Sequence, residues 1–60
     1  MKSERKYLAS CDDGHDYFQF EFYSEHRANS KANKEDAVIE ARKRYGRQVE
    51  IEVIETYLQE

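Results

Sequence analysis

Apolar and polar side chains alternate in two stretches of this chain, and the alternation predicts β-strands. In residues 16–24, phenylalanine occupies every second position, at Phe18, Phe20 and Phe22. Successive side chains of a strand point to opposite faces, so the three phenylalanines share one face. The opposite face carries Tyr17, Gln19, Glu21 and Tyr23. We therefore predict a sheet with an apolar inner face and a polar, tyrosine-bearing outer face.

The second alternating stretch runs from residue 48 to about residue 58. Apolar residues alternate with glutamates over residues 49–53, which is typical of a half-buried strand. Ile54 is apolar where a charged residue is expected, and Thr56 and Leu58 continue its face. Either a β-bulge rephases the strand at this point, or the tail leaves the sheet.

A third strand and a turn precede the phenylalanine strand. Residues 6–12 alternate more weakly and predict the least hydrophobic strand of the three. Residues 12–15 read Asp-Asp-Gly-His, and an Asp-Gly pair supplies a residue that tolerates positive φ in a tight turn. The two strands and this turn predict a β-hairpin.

A helix is predicted after residues 24–33, which contain no large apolar side chain. Asn33 is the favoured N-cap, because Asp36 stands three residues later and can reach back to it. Ser30 is a second candidate cap, and the two candidates place the start of the helix about one turn apart. Gly46 is expected to end the helix.

The predicted element order is β-β-α-β, an α+β fold in which residues 1–60 form one domain and residues 1–5 are loose. A right-handed crossover through the helix can bring the third strand in parallel to the second. We expect a three-stranded, mainly antiparallel sheet in the order 2-1-3, because a third strand beside the first needs no adjacent parallel pair. One helix packs on one face. The predicted core comprises Tyr7, Ala9, Cys11, Phe18, Phe20, Phe22, Ala37, Val38, Ala41, Tyr45, Val49, Ile51 and Val53.

Composition limits the class of protein. Sixty residues allow one small domain, which buries only about 60% of its unfolded surface. The single cysteine, Cys11, excludes an intrachain disulfide. No stretch approaches the roughly 20 apolar residues of a membrane span, and no secretory signal is recognisable. We expect a cytoplasmic protein with no membrane association, of the kind encoded by small bacterial or phage reading frames.

The uncovered sheet face is the leading candidate for function. A single helix covers one face only, so Tyr17, Gln19, Glu21 and Tyr23 are predicted to form a protein interface, with Leu8 beside them. Tyrosine suits interfaces because it has an apolar body and a polar tip. A small domain without disulfides often gains stability by association. The sequence thus favours a non-enzymatic interaction module that forms a homodimer through this face or an edge strand.

Basic residues support a second hypothesis, a nucleic-acid-associated protein. They occur in the polar tract before the helix, where a helix N-terminus attracts anions, and near the end of the helix. The candidate contacts are His26, Arg27, Lys31, Lys34, Arg42, Lys43, Arg44 and Arg47. The alternative is that the tract is an ordinary loop and helix cap. The net charge of −3 argues against general binding of polyanions.

Acidic residues support a third hypothesis, in which carboxylates imitate a row of phosphates and block a nucleic-acid-binding protein. The residues concerned are Glu21, Glu50, Glu52 and Glu55. The same glutamates would also suit a solvated strand face.

Neither a metal site nor catalysis is predicted. Asp12, Asp13, His15 and Asp16 lie close together in sequence, but their spacing is not that of a calcium loop. Cys11 could pair with His15 or His26 as nucleophile and base, but its position in the alternation places it on the inner face. A buried cysteine usually acts as a small apolar residue. We expect no metal, no cofactor and no enzymatic activity.

Overall fold

The computed structural model describes residues 3–46 and 50–59. Within them the chain forms β1 (Arg5–Asp12), β2 (Tyr17–Ser24), α1 (Lys31–Tyr45) and β3 (Glu52–Leu58). The strands form one sheet in the order β2-β1-β3, and both pairings are antiparallel. The predicted α+β class, element order and strand order are confirmed, and the least hydrophobic strand lies in the centre.

The first two strands form the predicted hairpin. They pair along their whole lengths, so that Tyr7 lies opposite Phe22 and Cys11 opposite Phe18. The turn between them contains Gly14 at φ 95°, a conformation that glycine adopts without steric cost.

The third strand contains the predicted bulge. Glu55 pairs with Ser10, but the next pair joins Val53 to Cys11. Ile54 is therefore the extra residue, and two residues of β3 lie opposite one residue of β1. The strand stays in the sheet on both sides of the bulge, to Leu58. Of the longer strand predicted from residue 48, residues 48 and 49 lie outside the described residues.

The bulge changes which side chains of β3 face the helix. Val53 precedes it and is buried, and Thr56 follows it and is also buried, three positions later. Regular alternation would have turned one of the two outward. Tyr57 consequently points to the outer face.

The helix begins one turn earlier than the favoured prediction. Ser30 is the N-cap: its Oγ accepts the backbone N–H of Asn33 at 3.1 Å, and its carbonyl accepts that of Lys34 at 3.0 Å. The prediction of Asn33 as cap is wrong, because the Asn33 side chain lies in the core. Asp36 does not reach back to a cap; it accepts a hydrogen bond from Ser24 Oγ at 2.7 Å.

The helix ends at the predicted glycine. The Gly46 N–H donates to the carbonyl of Arg42 at 3.0 Å, and Gly46 has φ 103°. This left-handed conformation favours glycine over residues with a side chain.

The core lies between α1 and the inner face of the sheet. Its buried apolar residues are Tyr7, Ala9, Cys11, Phe20, Phe22, Ala37, Ala41 and Val53, with Phe18, Ala28, Val38 and Ile51 partly buried against them. The prediction of Tyr45 as a core residue is wrong, since it is 48% exposed. Its ring meets Phe18 edge-on at 5.3 Å between centroids, so only part of it is covered. Val49 lies outside the described residues.

A polar network is also buried in this core. Asn33 and Thr56 are 0% and 1% exposed, and Thr56 Oγ1 donates to Asn33 Oδ1 at 2.6 Å. Asn33 Nδ2 donates in turn to the carbonyl of His26 at 2.9 Å. Buried polar groups require such partners, because an unpaired group costs about 1–3 kcal/mol. Among the described residues, every buried side-chain nitrogen and oxygen has one.

Asn29 connects this network to the backbone of β3. Its N–H donates to Thr56 Oγ1 at 2.7 Å, and its Oδ1 accepts the N–H of Thr56 at 2.8 Å. Asn29 has φ 65°, a left-handed conformation that asparagine tolerates better than most residues. The loop before the helix is thereby attached to β3.

Substituting Thr56→Val should lower the free energy of unfolding by about 1–3 kcal/mol, because valine keeps the volume but leaves Asn33 Oδ1 and the Asn29 N–H without their partner. Chemical denaturation measures this change. Thr56→Ser is the matched control, since it retains the hydroxyl. Equal stability of the valine variant and the parent would contradict the importance of the network.

Candidate functional site

The outer face of the sheet is the main open surface of the described chain. Its side chains alternate with buried ones on each strand, and α1 packs on the opposite face. The face carries Lys6, Leu8, Ser10 and Asp12 on β1, Tyr17, Gln19, Glu21 and Tyr23 on β2, and Glu52, Glu55 and Tyr57 on β3. The four predicted interface residues all lie on it.

An apolar centre lies in the middle of this face. Leu8, on the central strand, is opposite Glu21 on one side and Tyr57 on the other. The Tyr57 hydroxyl donates to Glu55 Oε1 at 2.8 Å, and this hydrogen bond raises the pKa of Tyr57. Lys6 Nζ lies 3.5 Å from Glu21 Oε1. Leu8 and Tyr57 are therefore flanked by carboxylates whose positions are set by neighbouring side chains.

The two tyrosines predicted to lead the interface lie at opposite ends of the face. Tyr17 is opposite Asp12 and 76% exposed, whereas Tyr23 is opposite Lys6 and 60% exposed. Tyr23 comes six positions after Tyr17, so the two lie roughly 20 Å apart along the strand. Tyr57 belongs to the apolar centre with Leu8, although it was not among the predicted interface residues. The break in alternation at Ile54 was the signal that pointed to its position.

Negative charge dominates the outer face. It carries four carboxylates, at Asp12, Glu21, Glu52 and Glu55, and one ammonium group, at Lys6. Asp12 and Glu52 lie directly opposite each other on neighbouring strands. Like charges in directly opposed positions destabilise a sheet.

On each edge strand, one backbone group is hydrogen-bonded to a side chain from another part of the chain. On β2, Arg44 Nη2 donates to the carbonyl of Glu21 at 2.9 Å, while Arg44 Nε donates to Glu40 at 2.9 Å. On β3, the N–H of Thr56 is taken by Asn29. Strand addition at either edge would have to displace one of these contacts.

The polar tract of residues 24–34 is used in internal hydrogen bonds. Ser24 Oγ accepts the His26 N–H at 3.1 Å and donates to Asp36, and Ser30 caps the helix. Asn29 and Asn33 bond to Thr56. These bonds join the tract to the helix and to β3, and the cap takes up one of the N–H groups at the helix N-terminus, that of Asn33.

The basic residues predicted to contact an anion do not form one patch. His26, Lys43 and Arg44 line a groove of about 680 Å³ between β2 and α1, which they share with Glu25, Asp36 and Glu40. Lys31 and Lys34 line a separate groove of about 430 Å³ between α1 and β3. Arg27 and Arg42 are exposed elsewhere, and Arg47 lies outside the described residues.

The acidic turn is stabilised by its own backbone. Asp13 Oδ1 accepts the N–H groups of Asp16 at 2.8 Å and His15 at 2.9 Å, which lowers the pKa of Asp13. Asp12 Oδ1 accepts the Gly14 N–H at 2.8 Å. Within residues 3–46 and 50–59, no group of three or more His, Cys, Asp or Glu side chains is arranged to hold a metal ion.

Cys11 lies in the core, as its position in the alternation predicted. It is 0% exposed, and burial raises its pKa to about 11. A thiol with this pKa is almost wholly protonated near neutral pH, and the thiolate is the reactive form. The side chain contributes to packing in the core.

Comparison with known proteins gave no relative: no family model, no curated protein and no solved structure matches the chain. In the described part of the chain, no helix has the length and apolar character needed to cross a membrane.

We expect the Cys11 thiol to react with an aromatic disulfide reagent only as fast as the protein unfolds. At pH 8, a pKa of about 11 leaves roughly one thiolate in a thousand, and burial blocks access as well. The measurement is the reaction rate across a denaturant series, compared with unfolding followed by circular dichroism. Rapid, complete reaction in native buffer would contradict the buried placement.

Substituting Asp13→Ala should destabilise the hairpin near pH 7, and the difference from the parent should shrink as the pH falls below about 4. The native pKa of Asp13 is lowered, so its contribution is present above the unfolded pKa of about 3.9 and is lost as the native carboxylate protonates. Thermal unfolding at several pH values measures this. Asp16→Ala is the control, because Asp16 contributes its backbone N–H to the turn; the same pH dependence in both variants would refute the assignment.

Proposed function

We propose that this protein is a non-enzymatic interaction module that binds a partner protein through the outer face of its sheet. The observation that carries the proposal is the position of Leu8 in the middle of the central strand, beside Tyr57 on β3, on the sheet face opposite α1. Interfaces favour an apolar, tyrosine-bearing centre with a polar rim. The residues around this centre are polar or charged, as a rim requires.

The contacts at the sheet edges favour the face over strand addition as the binding mode. The Arg44 side chain donates a hydrogen bond to a backbone carbonyl of β2, and the Asn29 side chain accepts one from a backbone N–H of β3. Docking on the face leaves both contacts intact.

Charge also bears on the expected homodimer. Two copies docked face to face would bring one carboxylate-rich surface against another, and like charges opposed across an interface cost several kcal/mol. We therefore propose a different protein as the partner.

A cytoplasmic location would suit this role and the unpaired, buried Cys11 thiol.

A nucleic-acid role has weaker support. The basic side chains lie on both flanks of α1, and Arg44 is engaged with Glu40 and Glu21. The open face would repel phosphates.

The buried state of Cys11 supports a protein without nucleophilic catalysis.

The experiment is a nuclear magnetic resonance spectrum of the isotope-labelled protein in unlabelled lysate of its native host. Partner binding should broaden the amide signals of Leu8, Glu21 and Tyr57 and leave those of α1 comparatively sharp. Leu8→Ser should abolish the broadening, because it removes the apolar centre.

Ile39→Ser is the matched control, since Ile39 is 54% exposed on the helix. This variant should behave like the parent. Equal effects of the two substitutions, or broadening confined to the helix, would count against the proposed face.

A further inference from the structure

We propose that the partner presents a basic surface, in which lysine or arginine side chains surround an apolar group that packs on Leu8 and Tyr57. This inference rests on the proposed function and specifies the chemistry of the partner. Its basis is the distribution of charge on the outer face, together with two acidic residues at directly paired positions of the sheet.

The pair formed by Asp12 and Glu52 is the first observation. The two residues are directly opposed on β1 and β3, where like charges repel. Glu52 is exposed, and the Asp12 carboxylate is positioned by its hydrogen bond to the Gly14 N–H. A cation from a partner, placed between these carboxylates, would turn the repulsion into two attractions.

The second observation concerns the remaining carboxylates. Glu21 flanks Leu8 and pairs with Lys6, whereas Glu55 accepts the Tyr57 hydroxyl. Lys6 is the single cationic side chain that the described strands place on this face, and it lies near one end, opposite Tyr23. The centre and the far end of the face thus present negative charge around an apolar group.

The charges on the outer face favour some binding partners over others. A second copy docked face to face would set these carboxylates against their equivalents. A second copy docked head to tail, with its helix on this face, would form a heterologous contact that closes into a ring or extends into an open assembly, and sedimentation would detect either. Nucleic acid would be repelled by the same carboxylates. A basic protein surface meets the charge and covers the apolar centre.

The test uses three short synthetic peptides with the same leucine and tyrosine content, whose remaining residues are lysine and arginine, glutamate, or serine. Each is titrated into the labelled protein at low salt. Only the basic peptide should shift the amide signals of Leu8, Glu52, Glu55 and Tyr57, and its affinity should fall as salt is added, because exposed charges are screened. Shifts confined to α1, or equal shifts with the serine peptide, would overturn the inference.

Glu52→Gln provides the decisive variant. It should weaken binding of the basic peptide about threefold to fivefold, the effect of one exposed charge pair. Its stability should equal or exceed that of the parent, because it removes the repulsion with Asp12. Glu35→Gln, which removes one exposed charge from the helix, is the control and should bind like the parent. Equal affinities of the two variants would overturn the inference.

Two further results separate this inference from the proposed function. If a native partner binds in a Leu8-dependent manner but is unaffected by Glu52→Gln and by salt, the interaction module stands and the basic partner is rejected. If binding does not depend on Leu8, the proposed function itself is rejected. Concentration-dependent association in sedimentation, weakened by Glu52→Gln, would identify a second copy as the occupant and overturn the proposal.

Discussion

The hydrogen bond between Thr56 and Asn33 joins three parts of the molecule that apolar packing holds weakly. The helix contributes only Ala37 and Ala41 as fully buried apolar residues, and both have small side chains. Asn33 fixes the first turn of the helix, and Asn29 fixes the preceding loop, to the same residue of β3. In a domain this small, specific polar bonds of this kind determine where the helix lies on the sheet.

The bulge at Ile54 makes this arrangement compatible with an open face. It turns Thr56 inward to meet Asn33, and by the same shift it turns Tyr57 outward beside Leu8. One extra residue therefore serves the core and the outer surface together. The two faces of the sheet therefore differ: the inner face forms the core, and the side chains of the outer face lie outside it.

Much of the fold was accessible from the sequence, because alternation and turn chemistry are local signals. The phenylalanines of β2, the turn at Gly14 and the stop at Gly46 all predicted the observed elements. Ser30, the observed cap, was only the second candidate, because Asn33 also satisfies the local rules for a cap, while its long-range bond to Thr56 decides its place. Tyr45 was assigned to the core from helical spacing alone, which does not reveal how far the sheet extends beneath it.

The candidate site was only partly predictable, for a related reason. Tyr17, Gln19, Glu21 and Tyr23 were correctly assigned to one face of β2, but the centre of the outer face combines residues from three strands. The pairing of Leu8 with Tyr57, and of Asp12 with Glu52, depends on a register that the bulge shifts. Strand-by-strand alternation does not contain that register.

The Arg44 side chain has a consequence for solubility in the cell. β2 is an edge strand rich in aromatic residues, and exposed edges of this composition promote fibrillar aggregation. Arg44 occupies a β2 carbonyl and lies over the Phe20 ring at 5.5 Å, so a charged group stands at the edge most suited to stacking. The contact that closes this edge to strand addition therefore also limits stacking of one copy on another, independently of any partner.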